Sequence, residues 1–294
     1  MDHRAGYVAL VGRPNVGKST LLNALVGAKV AIVTPKPQTT RNRIVGIRTL
    51  PDAQLVFLDT PGIHEARSLL NRRMVEVARQ TLGEADALVL VLDATAGFTP
   101  ADRELAAGIA ALRRPAIVVL NKLDRVAPPV LLPMMEESGR LLSGSEVIPA
   151  SAVRGDGVDL VLAAATAALP EGPRLYPEDD FTGETERFLV GELVREQLFL
   201  QTEEEVPYGT AVLIEEFAEK PERNVLVVRA TILVDRPTHK GIVIGAGGQR
   251  LRDIGQRARL ELEALFGVKV FLELFVRVEP GWAKNARRLK ELGL

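Results

Sequence analysis

Short apolar runs alternate with helix-like stretches from residue 7 to residue 169, and no other feature restricts the fold as strongly. The runs are YVALVG (7–12), AQLVFLD (53–59), ALVLVLD (87–93), PAIVVLNK (115–122) and SEVIPASA (145–152). Several are apolar throughout, the pattern of strands buried on both faces of a parallel sheet. Helices are predicted between them at 17–27, 67–82, 101–113, 130–143 and 157–169. This repeated order predicts an α/β, doubly wound domain with a mostly parallel sheet.

The rhythm stops at LPEGPRLYPEDD (169–180), where three prolines, a glycine and four acids suggest an exposed linker. Beyond it lie a helix candidate (184–200), two β-rich runs (209–217 and 224–235), a glycine-rich turn, a helix to about Phe266 and a last strand (268–279). That order predicts a second, α+β domain. At ~150 residues per domain, 294 residues suit two. The expected division is a domain at 1–170, a linker at 171–180, and a domain with a C-terminal tail at 181–294.

Composition narrows function mainly by exclusion. No apolar run approaches the ~20 residues of a membrane span, and the N-terminus lacks a signal-peptide pattern. Zero cysteines exclude disulfides, thiol nucleophiles and thiolate metal sites, which fits a cytoplasmic setting. The net charge of −1 is not that of a globally basic nucleic-acid binder. Locally the charge is uneven. Residues 236–260 hold six Lys/Arg and one acid, whereas residues 203–222 hold seven acids and one lysine.

GRPNVGKST (12–20) fits the phosphate-loop pattern G-x-x-x-x-G-K-[ST], after a predicted strand and opening a predicted helix. Gly12 and Gly17 let main-chain N–H groups turn toward phosphates, and the helix N-terminus adds positive dipole. Lys18 is expected to bridge the β- and γ-phosphates and Ser19 to ligate Mg²⁺. Arg13, Asn15, Val16 and Thr20 complete the expected GTP-contacting loop. NKLD (121–124) names the base. The Asp124 carboxylate can accept from guanine N1–H and the 2-amino group, which adenine does not offer. Asn121 can bond the other edge of the base and the Lys122 stem can cover its face. Ser151 and Ala152, after the next strand, suit a backbone contact to guanine O6.

DTPG (59–62) ends another predicted strand. Asp59 is expected to hold Mg²⁺ through water, and the Gly62 N–H to meet the γ-phosphate. Of the threonines in PQTTRNR, Thr40 rather than Thr39 is the expected Mg²⁺ ligand. Lys18, Thr40 and Gly62 thus carry the catalytic roles. Ras-like enzymes orient water with a glutamine just after the D-x-x-G motif. Here Ile63 stands there and cannot hydrogen-bond. His64 reads either as a base or as a solvated loop histidine. Arg41 and Arg43 suit switch or partner contacts better than arginine fingers.

The second glycine turn, VIGAGGQRLRDIG (243–255), lacks a following Lys-Ser and is too short for G-x-G-x-x-G. It fits the G-x-x-G turn of a KH domain, which approaches the backbone of about four unpaired nucleotides. Lys240, Gly245, Ala246, Gly247, Gly248, Arg250 and Arg252 are the expected RNA-binding residues. The preceding IVI with Leu251, Ile254 and Ala258 is expected to line an apolar groove for bases. Trp282, the single tryptophan, either stacks on RNA or packs the last helix, with Lys284, Arg287, Arg288 and Lys290 nearby.

Taken in order, GRPNVGKS, TT, DTPG, NKLD and SA resemble the five motifs of translation-factor-related GTPases. With PQTTR and the late glycine turn, nearly the whole chain resembles the Era-like family, which carries a C-terminal type II KH domain. The resemblance implies a GTP/GDP-binding, Mg²⁺-dependent GTPase that binds the 3′ end of 16S rRNA and assists 30S subunit maturation, its RNA affinity depending on the nucleotide. It further implies a K⁺ near the phosphates at Asn15, a monomer, and a cytoplasmic location with peripheral contact at the inner face of the cell membrane. Two rivals remain at this point. One is a GTPase whose C-terminal domain adapts a protein partner; the other is a P-loop kinase.

Overall fold

The computed structural model describes residues 3–62 and 69–294; Ile63 and His64 lie outside them. Contacts divide the chain into two units. The first unit runs β1 (Arg4–Val11), α1 (Lys18–Val26), β2 (Ile44–Thr49), β3 (Ala53–Asp59), α2 (Leu69–Glu84), β4 (Ala87–Asp93), α3 (Pro100–Ala111), β5 (Ala116–Asn121), α4 (Pro128–Leu141), β6 (Glu146–Pro149) and α5 (Val158–Ala168). Its sheet order is β2-β3-β1-β4-β5-β6, parallel except for β2. All seven residues of β3 are buried, and six of seven in β4, because helices cover both faces. Strand order diverges from β1 toward β3 on one side and β4 on the other. The crevice at the carboxyl ends of those strands is where open α/β sheets bind ligands.

β2 is an element that the sequence pattern does not announce. It follows a polar loop and contains Gly46, whose Cβ would lie 2.7 Å from Val26 Cγ2 and 2.8 Å from Leu22 Cδ1. Close seating on α1 and antiparallel pairing with β3 make it a strand. The chain at 171–183 is also less loose than its composition suggests. Gln54, fully buried on β3, accepts from Leu175 and Tyr176 N–H and donates to the Tyr176 carbonyl. Ile47 N–H donates to the Phe181 carbonyl at 2.9 Å, and Thr182 Oγ1 to that of Val45 at 2.6 Å. The segment thus covers the open edge of β2, which would otherwise present unpaired backbone groups.

The second unit comprises α6 (Glu186–Gln201), β7 (Thr210–Lys220), β8 (Val225–Val234), α7 (Pro237–Ile244), α8 (Gln249–Phe266), β9 (Lys269–Val278) and α9 (Ala286–Glu291). β7 and β8 pair antiparallel, and β8 and β9 parallel. Val194, Leu198, Ile232, Val234, Val243, Ile254 and Ala258 form one core cluster of this unit. Residues Ile32–Thr39, which precede β2 in sequence, group with this unit. Ile32 packs with Val190 and Leu193, and Lys36 Nζ donates to the Phe199 and Thr202 carbonyls at the end of α6. Among the described residues no helix is long and apolar enough to cross a membrane.

Candidate functional site

The loop from Gly12 to Gly17 joins β1 to α1. At Gly12 a Cβ would lie 2.4 Å from the Val91 carbonyl oxygen, so the loop rests directly on β4. Gly17 caps α1 at φ 99°, and a Cβ there would lie 2.3 Å from Asn121 Nδ2. Lys18 is 7% exposed and donates to the carbonyls of Gly12 at 3.0 Å and Arg13 at 3.1 Å, arching over the loop. The Arg13 side chain turns elsewhere: its Nε donates to Asp102 Oδ1 at 2.8 Å. Asp102 is itself fully buried in the capping box with Thr99 that starts α3. Arg13 Nη2 has no hydrogen-bond partner, and Val16 is 1% exposed. Asn15 has φ 64°, a left-handed backbone that asparagine tolerates better than most residues.

Three oxygens converge beside the loop. Ser19 Oγ donates to Asp59 Oδ2 at 2.5 Å and lies 2.9 Å from Thr40 Oγ1, which is 3.5 Å from the same carboxylate. Thr39 faces away, 2.6 Å from Thr34 Oγ1 and donating to the Lys36 carbonyl. Asp59 Oδ1 is buried without a hydrogen-bond partner. Two hydroxyls and a carboxylate with an unused oxygen are the hard donors that Mg²⁺ selects. Burial pulls Lys18 below the ordinary lysine pKa, partly offset by the Asp59 charge. Burial also pushes Asp59 above the ordinary carboxylate range, against Lys18, Ser19, Thr40 and the Thr60 N–H. Gly62 lies against the phosphate loop, where its Cβ would come 2.6 Å from Pro14 N.

The base-reading end is held together by its own hydrogen bonds. Asp124 Oδ1 accepts from Ser151 Oγ at 2.6 Å, the chief reason its pKa is lowered. Asn121, 3% exposed, donates from Nδ2 to the Val16 carbonyl at 2.8 Å and accepts at Oδ1 from Ala152 N–H at 3.0 Å. The Ala152 N–H thus stands beside Asn121 at the rim where the base contact is expected. Asn121 is first a tie between the phosphate loop and the loop after β6, with one N–H remaining for a base. Lys122 Nζ bonds Asp93 Oδ2 at 2.5 Å, which fixes its stem. At Asp93 burial would raise the pKa, but hydrogen bonds from Lys122 and Thr95 outweigh it and the net shift is downward. Asp93, Asp102 and Pro14 escaped the sequence reading. Only Asp93 left a signal, as the polar residue ending an apolar run in register with Asn121. Arg43 pairs with Glu84 at 2.5 Å, and Arg41 is 5% exposed.

In the second unit the glycine turn joins α7 to α8. Gly245, Gly247 and Gly248 take φ of 72°, 57° and 78°. At Gly247 and Gly248 a Cβ would meet nothing within 4 Å, so backbone conformation, not crowding, demands glycine there. Ala246 is exposed beside them and Lys240 is half-buried. Arg250 Nη1 donates to the Ile242 carbonyl at 2.5 Å, and exposed Arg252 donates to Gln249 Oε1 at 3.2 Å. Beside the turn, α8 and β9 border an open groove of about 470 Å³. Gly248 lines it from the turn, Leu251, Arg252 and Gly255 from α8, and Leu272 and Leu274 from β9. Gln256 and Arg259 complete the lining. Ile254 and Ala258, expected in the groove, are fully buried in the core. They fall on the stripe of α8 that meets the sheet, and Leu251 at its edge touches both environments. Gly255 lies within α8, where glycine costs roughly 1 kcal/mol relative to alanine. Trp282 is 1% exposed and donates from Nε1 to the Gly209 carbonyl at 3.1 Å, so it packs rather than stacks on RNA. Arg288 is held by Glu279 at 2.6 Å and Arg287 by Glu291 at 3.1 Å, while Lys284 and Lys290 are exposed.

Fold and site together define a P-loop GTPase followed by a KH domain. Residues 7–122 match the family model described as 50S ribosome-binding GTPase, and residues 205–283 match the KH domain model. The chain is 45% identical over 290 residues to GTPase Era of Syntrophus aciditrophicus (strain SB), covering 99% of this chain and 95% of that protein. It is 46% identical over 299 residues to GTPase Era of Nitratidesulfovibrio vulgaris (strain DP4), covering 99% and 97%. An Aquifex aeolicus Era variant bound to GDP·AlF4⁻ superposes with a TM-score of 0.95 at 44% identity, with 99% of each chain covered. Era in complex with MgGDPNP and nucleotides 1506–1542 of 16S ribosomal RNA gives 0.94 at 44% identity and the same coverage. The chain belongs to the Era family of GTPases.

Proposed function

We propose that this GTPase is a ribosome-assembly factor whose KH unit binds the 3′ end of 16S rRNA and assists 30S maturation. One observation carries the RNA reading: a turn of three positive-φ glycines opens beside an open groove with two arginines and an apolar floor, on a chain similar throughout to an RNA-bound relative. In the nucleotide site Ser19 and Thr40 would hold Mg²⁺ directly and Asp59 through water. The ion supplies charge stabilisation to the transferring phosphoryl group. Lys18 would leave its two loop carbonyls for the β- and γ-phosphate oxygens. Gly62 and Thr40 would be held by the γ-phosphate and released after hydrolysis. Asp124, with Ser151 fixing its orientation, would read guanine.

The expected domain limits, 1–170 and 181–294 joined by 171–180, belong to this reading. So does a K⁺ at Asn15, which would supply transition-state charge stabilisation that Ile63 cannot; turnover then runs faster in K⁺ than in Na⁺ salts. A ribosomal target places the monomer in the cytoplasm. Contact with the inner face of the cell membrane rests on family resemblance alone. Nuclease footprinting of 16S rRNA, with a GTP analogue against GDP, tests the whole. Protection at the 3′ end that is stronger in one nucleotide state is expected, and by linkage RNA then shifts nucleotide affinity by the same factor. No protection in either state would overturn the RNA reading and favour the protein-adaptor alternative.

A further inference from the structure

We propose that the connection from Asp93 to Asp102, between β4 and α3, holds both ends of the nucleotide site, with Asp102 positioning the phosphate loop and Asp93 the base-reading loop. None of the five nucleotide motifs lies within it. At the phosphate end, Asp102 is fully buried. Its Oδ2 serves the start of α3, accepting from Thr99 N–H at 3.0 Å and Thr99 Oγ1 at 2.7 Å. The helix cap makes no use of Oδ1, which accepts from Arg13 Nε at 2.8 Å across 89 residues. Arg13 follows Gly12 in the phosphate loop, and Lys18 rests on the carbonyls of both. Pinning the Arg13 side chain therefore fixes where those carbonyls lie, and with them the resting place of the Lys18 ammonium. Arg13 acts through the loop, as a positioning residue.

The base end hangs on the other end of the same connection. Asp93 Oδ2 accepts from Lys122 Nζ at 2.5 Å. Its Oδ1 is fixed by Thr95 N–H at 2.9 Å and Thr95 Oγ1 at 2.6 Å. The Ala94 N–H donates to the Asn121 carbonyl at 2.9 Å. The NKLD loop is thus tied to the first residues of the connection and the phosphate loop to its last. The two loops also meet directly, where Asn121 Nδ2 donates to the Val16 carbonyl. These contacts close a circuit: phosphate loop, Asn121, Asp93 to Asp102, and back through Arg13. Charge-assisted bonds at both ends make it stiff, so the two grips on a guanine nucleotide keep a fixed spacing before the nucleotide arrives.

GDP affinity of the full-length protein, measured by competition with a fluorescent guanine nucleotide in Mg²⁺, tests this through a double-mutant cycle on Arg13→Met and Asp102→Asn. Each single variant weakens GDP on the order of tenfold, the scale of one hydrogen bond to a charged group, and the double variant falls no further. Arg13→Lys recovers part of the loss. Asp93→Asn also weakens GDP, and its effect adds to that of Arg13→Met because the two act at opposite ends. Thr99→Ala is the structural control: it removes a capping hydroxyl from α3, lowers the melting temperature and leaves GDP affinity at the wild-type level. Were Arg13 itself a phosphate ligand, Asp102→Asn would release it, and GDP would bind at least as tightly as to wild type while Arg13→Met alone lost affinity. That result overturns the inference. So does wild-type GDP affinity in Arg13→Met, Asp102→Asn and Asp93→Asn alike, with only the melting temperature lowered.

Discussion

Replacing Asn121 with alanine separates a structural tie from a base contact. The Asn121 side chain joins the Val16 carbonyl, at 2.8 Å, to the Ala152 N–H, at 3.0 Å, and both bonds are buried. Alanine leaves one acceptor and one donor without partners. Each such group costs about 1–3 kcal/mol, so the pair costs about 2–6 kcal/mol, a large share of the ~5–15 kcal/mol that stabilises a domain. A domain of this size loses about 2–4 °C of melting temperature per kcal/mol, which puts the drop between about 4 and 24 °C. The assay is thermal unfolding of nucleotide-free protein, wild type against Asn121→Ala, followed by far-ultraviolet circular dichroism. GTP and GDP affinity fall in the same variant, because the phosphate loop and the loop after β6 lose their common anchor. Suppose nucleotide-free wild type and variant melt together while only GTP affinity falls. Asn121 would then be a base contact alone, and the reasoning would be wrong.

Two further outcomes are expected. Asp124→Asn loses the acceptor for guanine N1–H and the 2-amino group, so GTP binding weakens while binding of xanthosine triphosphate, which presents a carbonyl at that edge, improves; competition between the two nucleotides measures it. Asp93 has a lowered pKa in the folded chain, so the stability it adds through Lys122 is fully present above the ordinary aspartate value of about 3.9 and is lost as pH falls through the lower folded value. Melting curves of wild type and Asp93→Asn should therefore differ at neutral pH and converge toward strong acid, and a constant difference down to acid would refute the pairing.

Much of the nucleotide site was legible because its chemistry is local. GRPNVGKST carries loop, lysine, hydroxyl and helix start in one stretch, and its place after an apolar run identifies it before any contact is known. NKLD and DTPG likewise sit where apolar runs end, at the rim of the sheet. The KH order of elements was legible for the same reason, since each helix or strand announces its period within its own length. The groove was less so. Periodicity shows that α8 has an apolar stripe containing Leu251, Ile254, Ala258 and Leu262, but not which edge of that stripe the sheet leaves open. Ile254 and Ala258 therefore read as groove and proved to be core.

By itself the sequence determined which residues carry charge, hydroxyl and backbone freedom, and in what local order they follow one another. Tertiary structure alone decided what those groups face. Asn121 meets Val16 across 105 residues, Arg13 meets Asp102 across 89, Gln54 ties down Tyr176 across 122, and Ile32–Thr39 leaves the unit of its sequence neighbours to pack against α6. The physical reason is that period, caps and turns act over a few residues of backbone. A buried polar side chain instead takes whichever partner the packed elements bring within about 3 Å, and no short-range pattern encodes that choice.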